Sequence, residues 1–445
     1  MKLSRIAKGA GMTLPAGKDA EVTGFAIDHR KVAPGTVFGA FRGARFNGED
    51  YIPAAIAAGA VAIVCAPEAD CAAEAGVDGP VANGAITIRS PEPRRDFARL
   101  AAQFFVPVPE TIVAITGTNG KTSSVEMMRQ IWRMAGYHAA SIGTLGVTTA
   151  DESVSTGLTT PDIVTFLSNM SGLAREGVSH VAYEASSHGL SQYRNEGLPV
   201  RAGGFTNFSR DHLDYHDTMD SYFAAKMRLF DEVVGENGHA VIWTDGSSWS
   251  EQACQHAAAR GLNLLTVGPG EYGDAPSLRL VSRTPTLLGQ ELTIVYGGQE
   301  RIITLPLIGA YQAANALVAA GLVIVSGGAS GQTFDALSRL QPVRGRLERA
   351  AISSAGAPIY VDYAHTPDAL SAALDALRPH VDGKLLTVFG AGGDRDQGTR
   401  AEMGRIAAEK SDVVIVTDDN PRGEDAAVIR SMVLQGAPEA QDIAD

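Results

Sequence analysis

The stretch AITGTNGKTSS, residues 114–124, decides the fold of the middle of this chain. It ends like a phosphate-binding loop, which is normally spelled G-x-x-x-x-G-K-[ST]. Counted back from Gly120, the first glycine of that pattern would stand at 115, where the chain has Ile115; the nearest upstream glycine is Gly117. The spacing predicts an altered phosphate loop, with an ordinary strand-to-helix turn as the alternative.

The residues on either side of the loop support a phosphate site. TIVAIT (111–116) is a β-branched run typical of a buried strand, and apolar residues then recur at helical spacing until Gly136. A strand, a glycine turn and a helix N-terminus bring amide N–H groups and the helix dipole together at one anion site. We expect Lys121 to reach terminal phosphates and the Thr122 hydroxyl to bind Mg²⁺.

Composition limits the classes of function. A chain of 445 residues suggests roughly three domains. The net charge of −13 argues against nucleic acid or an anionic membrane as the main partner. The N-terminus lacks the apolar core of a signal peptide, the longest apolar stretch (54–67) is too short to span a bilayer, and the three cysteines form no C-x-x-C pair. We therefore expect a cytoplasmic protein with reduced thiols and no membrane insertion.

Strands and helices alternate along the chain, which predicts an α/β protein. A Pro- and Arg-rich segment (89–97) suggests the first domain boundary, and 278–307 predicts β-hairpins. Thr366 followed by Pro367 predicts a helix start. Ligands of parallel sheets bind beyond the carboxyl ends of the strands. The predicted domains are a small N-terminal α/β unit (1–90), a central P-loop ATPase-like sheet domain (91–338) and a C-terminal Rossmann-like, doubly wound domain (339–445).

Two stretches that follow predicted strands are rich in acidic residues and histidines: VAYEASSHGLSQYR (181–194) and FTNFSRDHLDYH (205–216). In a phosphate-loop domain they suggest Mg²⁺ and phosphate handling. Mg²⁺ prefers oxygen ligands, so Glu184 is the better ligand and His212 an auxiliary one. A zinc site is the competing interpretation, although no H-E-x-x-H pattern is present.

The third domain carries DYAHTPD (362–368) and GAGGDRDQGTR (390–400) after predicted strands. The second stretch opens no G-x-G-x-x-G fingerprint, so it gives little support to a dinucleotide site. DDNPRGED (418–425) has turn chemistry, and a plain turn is an equal alternative.

Taken together, these stretches resemble the Mur ligase family over essentially the whole chain. The motifs that carry the resemblance are, in order, GTNGKTS, LTTPD, EASSHGL, TNFSRDHLDYH, AAKMRLF, GAYQAANALVAA, GRLE, DYAHTPD, GGDRDQGTR and DNPR.

The resemblance implies an ADP-forming ligase of peptidoglycan synthesis. It would add meso-2,6-diaminopimelate to UDP-N-acetylmuramoyl-L-alanyl-D-glutamate through an acyl phosphate, as a monomer with ATP and Mg²⁺. DNPR (419–422) resembles the form that selects diaminopimelate, and the lysine-adding form is the first alternative. A folate-polyglutamate ligase, which usually has glycine where Thr122 stands, and a catalytically impaired UDP-sugar-binding remnant are the others.

The same resemblance implies residue roles. The catalytic set is Lys121, Glu184, His212 and Lys226, with Lys226 carbamylated; a solvated helix lysine is the alternative for Lys226. The metal set is Thr122, Glu184, His212 and Lys226. The nucleotide set is Gly117, Thr118, Asn119, Gly120, Lys121, Thr122, Ser123, Asn315, Arg346, Asp362 and His365. The set for the UDP-linked dipeptide is His29, Thr159, Thr160, Ser186, Gln192 and Arg194. The set for diaminopimelate is Arg395, Asn420 and Arg422.

This sequence departs from the family pattern in three places. The family commonly has Ser-Arg at the uracil site, where this chain reads Asp28-His29-Arg30. VIWTDG (241–246) replaces an Asn-x-Asp-Asp pattern, and we nominate no residue there. Family members continue through a further strand and a GKGHE-like loop, so the resemblance implies that the last part of the C-terminal domain is lacking here.

Overall fold

The computed structural model describes residues 1–15, 18–43, 46–69, 84–150, 152–155, 157–286 and 289–444. The first sheet has four parallel strands in sequential order. Its strands are β1 (Gly24–Ala26), β2 (Thr36–Gly39), β3 (Ala62–Cys65) and β4 (Ile86–Arg89). Its helices are α1 (Leu3–Gly9), α2 (Ile52–Ala57) and α3 (Pro93–Phe104). The apolar stretch 54–67, too short to span a bilayer, thus holds the end of α2, a turn and the buried strand β3.

The central sheet begins with the strand that leads into the phosphate loop. Its strands are β5 (Thr111–Thr116), β6 (Ala139–Gly143), β7 (Gly146–Thr148), β8 (Ser153–Val154), β9 (His180–Glu184), β10 (Val200–Phe205), β11 (Val234–Trp243), β12 (Asn263–Gly268), β13 (Ser277–Thr286), β14 (Gly289–Tyr296) and β15 (Gln299–Leu305). They pair in the order β15-β14-β13-β12-β11-β10-β5-β9-β6-β7-β8. The pairs from β13 to β6 are parallel, and the outer pairs on both sides are antiparallel. The hairpins predicted for 278–307 are confirmed.

The central helices cover both faces of this sheet. They are α4 (Lys121–Met134), α5 (Ile163–Arg175), α6 (Ser187–Ser191), α7 (Met219–Arg228), α8 (Ser248–Ala259), α9 (Ala310–Val325) and α10 (Ser330–Leu337). Every residue of β5 is buried, since β9 and β10 flank it and helices lie above and below. Because α4 starts directly behind this central strand, the phosphate loop lies at the carboxyl edge of the sheet.

The C-terminal part holds an antiparallel pair and a three-stranded parallel sheet in the order β18-β19-β20. Its strands are β16 (Glu348–Ile352), β17 (Pro358–Val361), β18 (Leu386–Phe389), β19 (Val413–Val416) and β20 (Gln441–Asp442). Its helices are α11 (Pro367–Leu377), α12 (Arg400–Lys410) and α13 (Ala426–Leu434). The Thr366 side chain accepts a hydrogen bond from Ala369 N at 3.3 Å, so the predicted helix start is confirmed.

The expected α/β class is confirmed, while the domain boundaries stay a prediction. Helix α3 starts just after the boundary placed at residue 90, yet it packs on α1, β2 and β3 as well as on α5. Within the described residues, no helix combines the length and the apolar character that crossing a bilayer requires.

Candidate active site

The phosphate loop needs glycine at both positions where the sequence has it. Gly120 has φ +87°, and a Cβ there would lie 2.1 Å from Asn315 Oδ1. Gly117 has φ +143°, and a Cβ there would lie 2.0 Å from Thr206 Oγ1. Both positions combine a backbone that favours glycine with a close neighbour, so the loop has no room for a side chain.

The segment after β10 holds the loop in place. Asn119 N donates to Asn207 Oδ1 at 2.8 Å, and Thr206 Oγ1 donates to Asn119 O at 2.6 Å. Thr118 Oγ1 accepts from Ser209 N at 3.0 Å. These contacts join two strand ends that are about ninety residues apart in the chain.

Two lysines meet at one carbonyl. Lys226 Nζ donates to Gly117 O at 2.7 Å, and Lys121 Nζ donates to Gly117 O at 2.9 Å and to Thr118 O at 2.7 Å. Lys226 is only 1% exposed, with its ammonium 4.2 Å from the Tyr222 ring centroid. Burial, and then the charge of Lys121, hold the pKa of Lys226 well below its usual range. The alternative of a solvated helix lysine is therefore wrong.

Glu184 is fixed at the end of β9. Its carboxylate accepts hydrogen bonds from Thr144 N at 2.7 Å and from Thr144 Oγ1 at 3.3 Å. A Cβ at Gly143 would lie 2.1 Å from Glu184 Oε1, so the end of β6 must be glycine for this carboxylate to fit. The Thr122 hydroxyl accepts from Arg346 Nη2 at 2.9 Å.

His212 has an uncommon backbone for a non-glycine residue, with φ +54°. Its Nδ1 is buried and has no hydrogen-bond partner among the described residues, while Nε2 lies 3.4 Å from Asp211 Oδ2. Burial lowers the pKa of His212, so the ring is neutral near pH 7. Glu184 and Thr122 line the same cavity, and their oxygens fit an ion that prefers oxygen ligands; the unpaired nitrogen of His212 would be an auxiliary ligand.

One cavity gathers these groups. In the described part of the chain it is lined by Thr118, Asn119, Gly120, Lys121, Thr122, Thr144, Thr159, Glu184, Ser186, Ser187, Asp211, His212, Lys226, Arg346, Tyr363, His365 and Arg395. Two of the predicted domains supply this lining: the central domain gives most of it, and the C-terminal domain gives four residues. Among the described residues, no three His, Cys, Asp or Glu side chains are grouped so as to hold a metal, and the zinc interpretation gains no support.

A second cavity adjoins the loop on the side of α9 and α11. Its lining includes the expected nucleotide residues Asn119, Gly120, Thr122, Ser123, Asn315, Arg346, Asp362 and His365. The side-chain Nδ2 of Asn315 is buried and has no partner among the described residues, so it is a free donor at this wall. Burial raises the pKa of Asp362, whose oxygens accept from Leu347 N at 2.7 Å and Ala364 N at 2.9 Å. The cavity fits a ring system that offers hydrogen-bond acceptors.

Residues expected to hold the UDP-linked dipeptide lie in two places. Thr159 Oγ1 is 3.1 Å from Thr144 Oγ1, and Thr160 Oγ1 is 2.9 Å from Ser186 Oγ. Beside them, Arg194 Nη2 donates to Gln192 Oε1 at 2.7 Å, and Arg194 Nη1 donates to Thr160 O at 2.8 Å. These five residues form one wall that leads away from Glu184.

His29 lies elsewhere, in a cavity of about 510 Å³ on the N-terminal sheet. It starts a short 3₁₀ helix, and its ring stacks on Tyr51 with centroids 4.2 Å apart and planes 3° apart. Arg94, from the segment that we interpreted only as a boundary, lines the same cavity and donates to Arg42 O at 3.0 Å. The stacked pair offers a flat surface to an aromatic base.

The residues expected to bind diaminopimelate surround Gly392. A Cβ at Gly392 would lie 3.0 Å from Arg422 Nη1, 3.7 Å from Arg395 Cγ and 3.8 Å from Asn420 O. Arg395 also lines the central cavity, whereas Arg422 and Asn420 are exposed and do not line it. Arg422 donates to Gly393 O and has φ +47°. The three expected residues are thus near one another, and of the three only Arg395 also lines the central cavity that holds the phosphate loop.

Sequence reasoning missed several residues of the site. Thr144 follows β6 at the carboxyl edge, so the rule that ligands bind beyond these strand ends could have found it. Thr206, Asn207 and Asp211 lie inside a quoted motif, but which of its side chains face the loop depends on contacts with distant segments. Tyr363 also lies in a quoted motif. Its ring centroid lies 4.5 Å from the Arg346 guanidinium carbon, and nothing in the sequence indicated this contact.

Comparisons with known proteins match the whole architecture. The description "Mur ligase family, catalytic domain" matches residues 21–104, "Mur ligase middle domain" matches 115–323, and "Mur ligase, glutamate ligase domain" matches 345–445. A protein of Zymomonas mobilis named UDP-N-acetylmuramoyl-L-alanyl-D-glutamate--2,6-diaminopimelate ligase is 57% identical over 99% of this chain and 87% of its own length. One of the same name from Bradyrhizobium diazoefficiens is 47% identical over 100% of this chain and 89% of its own.

A solved structure carrying that ligase name superposes with a TM-score of 0.72 at 28% identity, covering 100% of this chain and 88% of the other. A Mycobacterium tuberculosis folylpolyglutamate synthase superposes with a TM-score of 0.64 at 18% identity, covering 79% of this chain and 85% of the other. The latter likeness concerns the fold alone.

Proposed function

The chain belongs to the Mur ligase family, and we propose that it joins meso-2,6-diaminopimelate to UDP-N-acetylmuramoyl-L-alanyl-D-glutamate with cleavage of ATP to ADP and phosphate. The observation that carries the proposal is the central cavity. It brings the phosphate loop, two lysines and Glu184 together with Arg395 of the C-terminal domain. The names of the relatives support diaminopimelate over lysine as the added amino acid.

The first step needs alignment of anions more than a protein nucleophile. A carboxylate oxygen of the D-glutamyl residue attacks the γ-phosphorus of ATP, the bond to the β-phosphate oxygen breaks, and ADP leaves. Lys121 and the loop amides would neutralise the phosphates, because charge develops on oxygens that they face. Lys226 is buried and Lys121 is half-buried, which strengthens these interactions because little water is present to screen them.

In the second step, an amine of diaminopimelate attacks the acyl carbon. The carbon–oxygen bond to phosphate breaks, phosphate leaves, and the amine loses a proton. Holding both reactants in contact accounts for much of the acceleration expected in such a step. Arg395, which reaches both the cavity and the Gly392 loop, is placed to hold the incoming amino acid at the acyl carbon.

Glu184, Thr122 and His212 would hold Mg²⁺, which when bound supplies positive charge to the phosphate oxygens. We propose that Lys226 carries a carbamate, formed when its neutral amine adds CO₂ and releases a proton. The change would turn a buried amine, whose charged form is repelled by Lys121, into an oxygen ligand that Lys121 attracts. The same proposal includes the two substrate sets. They are His29, Thr159, Thr160, Ser186, Gln192 and Arg194 for the UDP-linked dipeptide, and Arg395, Asn420 and Arg422 for diaminopimelate. It also includes a cytoplasmic location and a monomer.

The test is phosphate release from ATP in the presence of the UDP-linked dipeptide, with diaminopimelate and lysine supplied separately. We expect release with diaminopimelate and a product of matching mass. Release with lysine alone would favour the lysine-adding form. UDP-dipeptide binding without any phosphate release would favour the impaired binding protein.

A further inference from the structure

Tyr193 has a backbone conformation that is uncommon for a large side chain, with φ +56°. It follows α6 in a C-terminal cap of the Schellman type, because Arg194 N donates to Gly189 O at 2.8 Å and Tyr193 N donates to Leu190 O at 3.2 Å. The position that Tyr193 occupies in this motif is usually glycine. A strained backbone at a large residue, beside residues expected to bind substrate, points to a role of the Tyr193 side chain.

The side chain of Tyr193 joins the turn after α6 to the start of α3, the helix that also packs on α1, β2 and β3 of the N-terminal unit. Its hydroxyl donates to Glu92 Oε1 at 2.6 Å, and Glu92 is the residue immediately before α3. The Arg228 guanidinium carbon of α7 lies 4.0 Å from the ring centroid, and that of Arg95 lies 5.8 Å from it. Cations at these distances are attracted by the face of the ring.

The two arginines that flank the ring are themselves fixed. Arg95 pairs with Glu196 at 3.1 Å and with Glu232 at 3.1 Å, while Arg228 pairs with Glu232 at 2.9 Å. The ring of Tyr193 is therefore held by a charged network and not by a single flexible contact.

The residues on both sides of Tyr193 are those expected to hold the UDP-linked dipeptide. Gln192 Nε2 donates to Tyr215 Oη at 3.0 Å, and Arg194 bonds to Gln192 and to Thr160 O. Because neighbouring residues share one backbone, fixing Tyr193 also fixes the direction of both side chains.

We infer that Tyr193 is a positioning residue for the UDP-linked substrate, which locks the Gln192–Arg194 turn against helix α3. The inference rests on the proposed function, since it assigns the turn to that substrate. A merely structural cap would work at least as well with glycine, which adopts positive φ without strain. A residue that positions its neighbours through its side chain would lose this effect when replaced by glycine.

The experiment compares steady-state ligation by the wild type, Tyr193→Gly and Tyr193→Phe, with the thermal midpoint of each. We expect Tyr193→Gly to raise KM for the UDP-linked dipeptide about tenfold, as loss of substrate positioning does, with KM for ATP unchanged within about twofold. Tyr193→Phe keeps the ring between the arginines and should show a smaller rise. An unchanged KM in Tyr193→Gly would overturn the inference.

Asn237→Gly is the matched control, because Asn237 also has positive φ (+60°) but lies on β11, outside the three cavities described above. It should leave every kinetic constant at the wild-type value. If Tyr193→Gly fails to fold, Glu92→Ala and Tyr193→Phe decide. The KM of the double variant should match that of Glu92→Ala alone, because Tyr193→Phe removes only the hydrogen bond that Glu92→Ala removes together with the 3.4 Å pair to Arg95. Additive effects would overturn the inference, whereas no ligation by the wild type would overturn the proposed function and this inference with it.

Discussion

The phosphate end of the central cavity and the loop around Gly392 are built in opposite ways. At the phosphate end, Lys226 is 1% exposed, and the neighbouring backbone approaches so closely that glycine is required. Around Gly392, Arg395 is 50% exposed and Arg422 lies on the surface. The nearby buried Arg400 pairs with Glu424 at 2.8 Å and donates to Gly392 O at 3.2 Å, which holds this loop in place.

The difference separates two tasks. Phosphoryl transfer benefits from buried, fixed charges, because fields are strong where water is excluded. Choice of an amino acid from solution needs an accessible cation that contacts the distinguishing carboxylate directly. Removal of a buried group should therefore stop the reaction, whereas removal of an exposed one should change which amino acid is used.

The largest expected effect is at the two lysines of the phosphate site, the buried Lys226 and the half-buried Lys121. Lys121→Ala and Lys226→Ala should each lower kcat by at least about 100- to 1000-fold, since each removes charge from the water-excluded phosphate site. Phosphate release measures both. A short carboxylic acid should partly restore Lys226→Ala and leave Lys121→Ala unchanged, because only Lys226 is expected to carry a carboxylate. A high-resolution map with Mg²⁺ bound beside a bare Lys226 ammonium would contradict the carbamate.

Gly120→Ala comes next. The new Cβ would meet Asn315 Oδ1 at 2.1 Å on a backbone with φ +87°, so the loop or the buried Asn315 side chain at the nucleotide site must shift. A displacement of about 1 Å costs on the order of 100-fold in rate. Gly423→Ala, on the exposed loop, is the matched control: the nearest atom to its Cβ would be Asp394 Oδ2 at 3.3 Å. Equal losses in both variants, measured at saturating substrates, would break the contrast between the two regions.

The same contrast explains what the sequence could predict. Strand β5 and helix α4 were predicted closely because their periodicity is local. The hydrogen bonds from Thr206 and Asn207 to the phosphate loop could not be predicted. They join residues about ninety apart in the chain, which become neighbours only because of the order of the strands in the sheet. The helix around Lys226, taken alone, favoured a solvated lysine, and its burial depends on packing of α7 over the phosphate loop through Tyr222. The stack of His29 on Tyr51 likewise depends on tertiary contact.

At the exposed loop, Arg422→Ala should reduce selectivity without stopping the reaction. A charged hydrogen bond to the far carboxylate of diaminopimelate is worth roughly 1.5–3 kcal/mol, or about ten- to a hundredfold in affinity. Competition between diaminopimelate and lysine measures the ratio in the wild type and the variant. Undiminished selectivity would assign the discrimination elsewhere, with Arg395 as the next residue to test.

The smallest expected effect is at Arg210–Asp396, one of the ion pairs that join the two regions. Arg210 Nη2 lies 2.9 Å from Asp396 Oδ2, with the arginine side chain 56% exposed. Exposed pairs contribute about 0.2–1 kcal/mol, so Arg210→Ala should raise KM for diaminopimelate no more than about fivefold. Salt screens such pairs, so the difference in KM between the wild type and the variant should shrink as the ionic strength rises. Asp396→Asn should reproduce the Arg210→Ala values, because either change removes the same attraction. A loss of kcat approaching that of Lys121→Ala would show that the two regions act as one rigid unit, and the separation of their tasks would then be wrong.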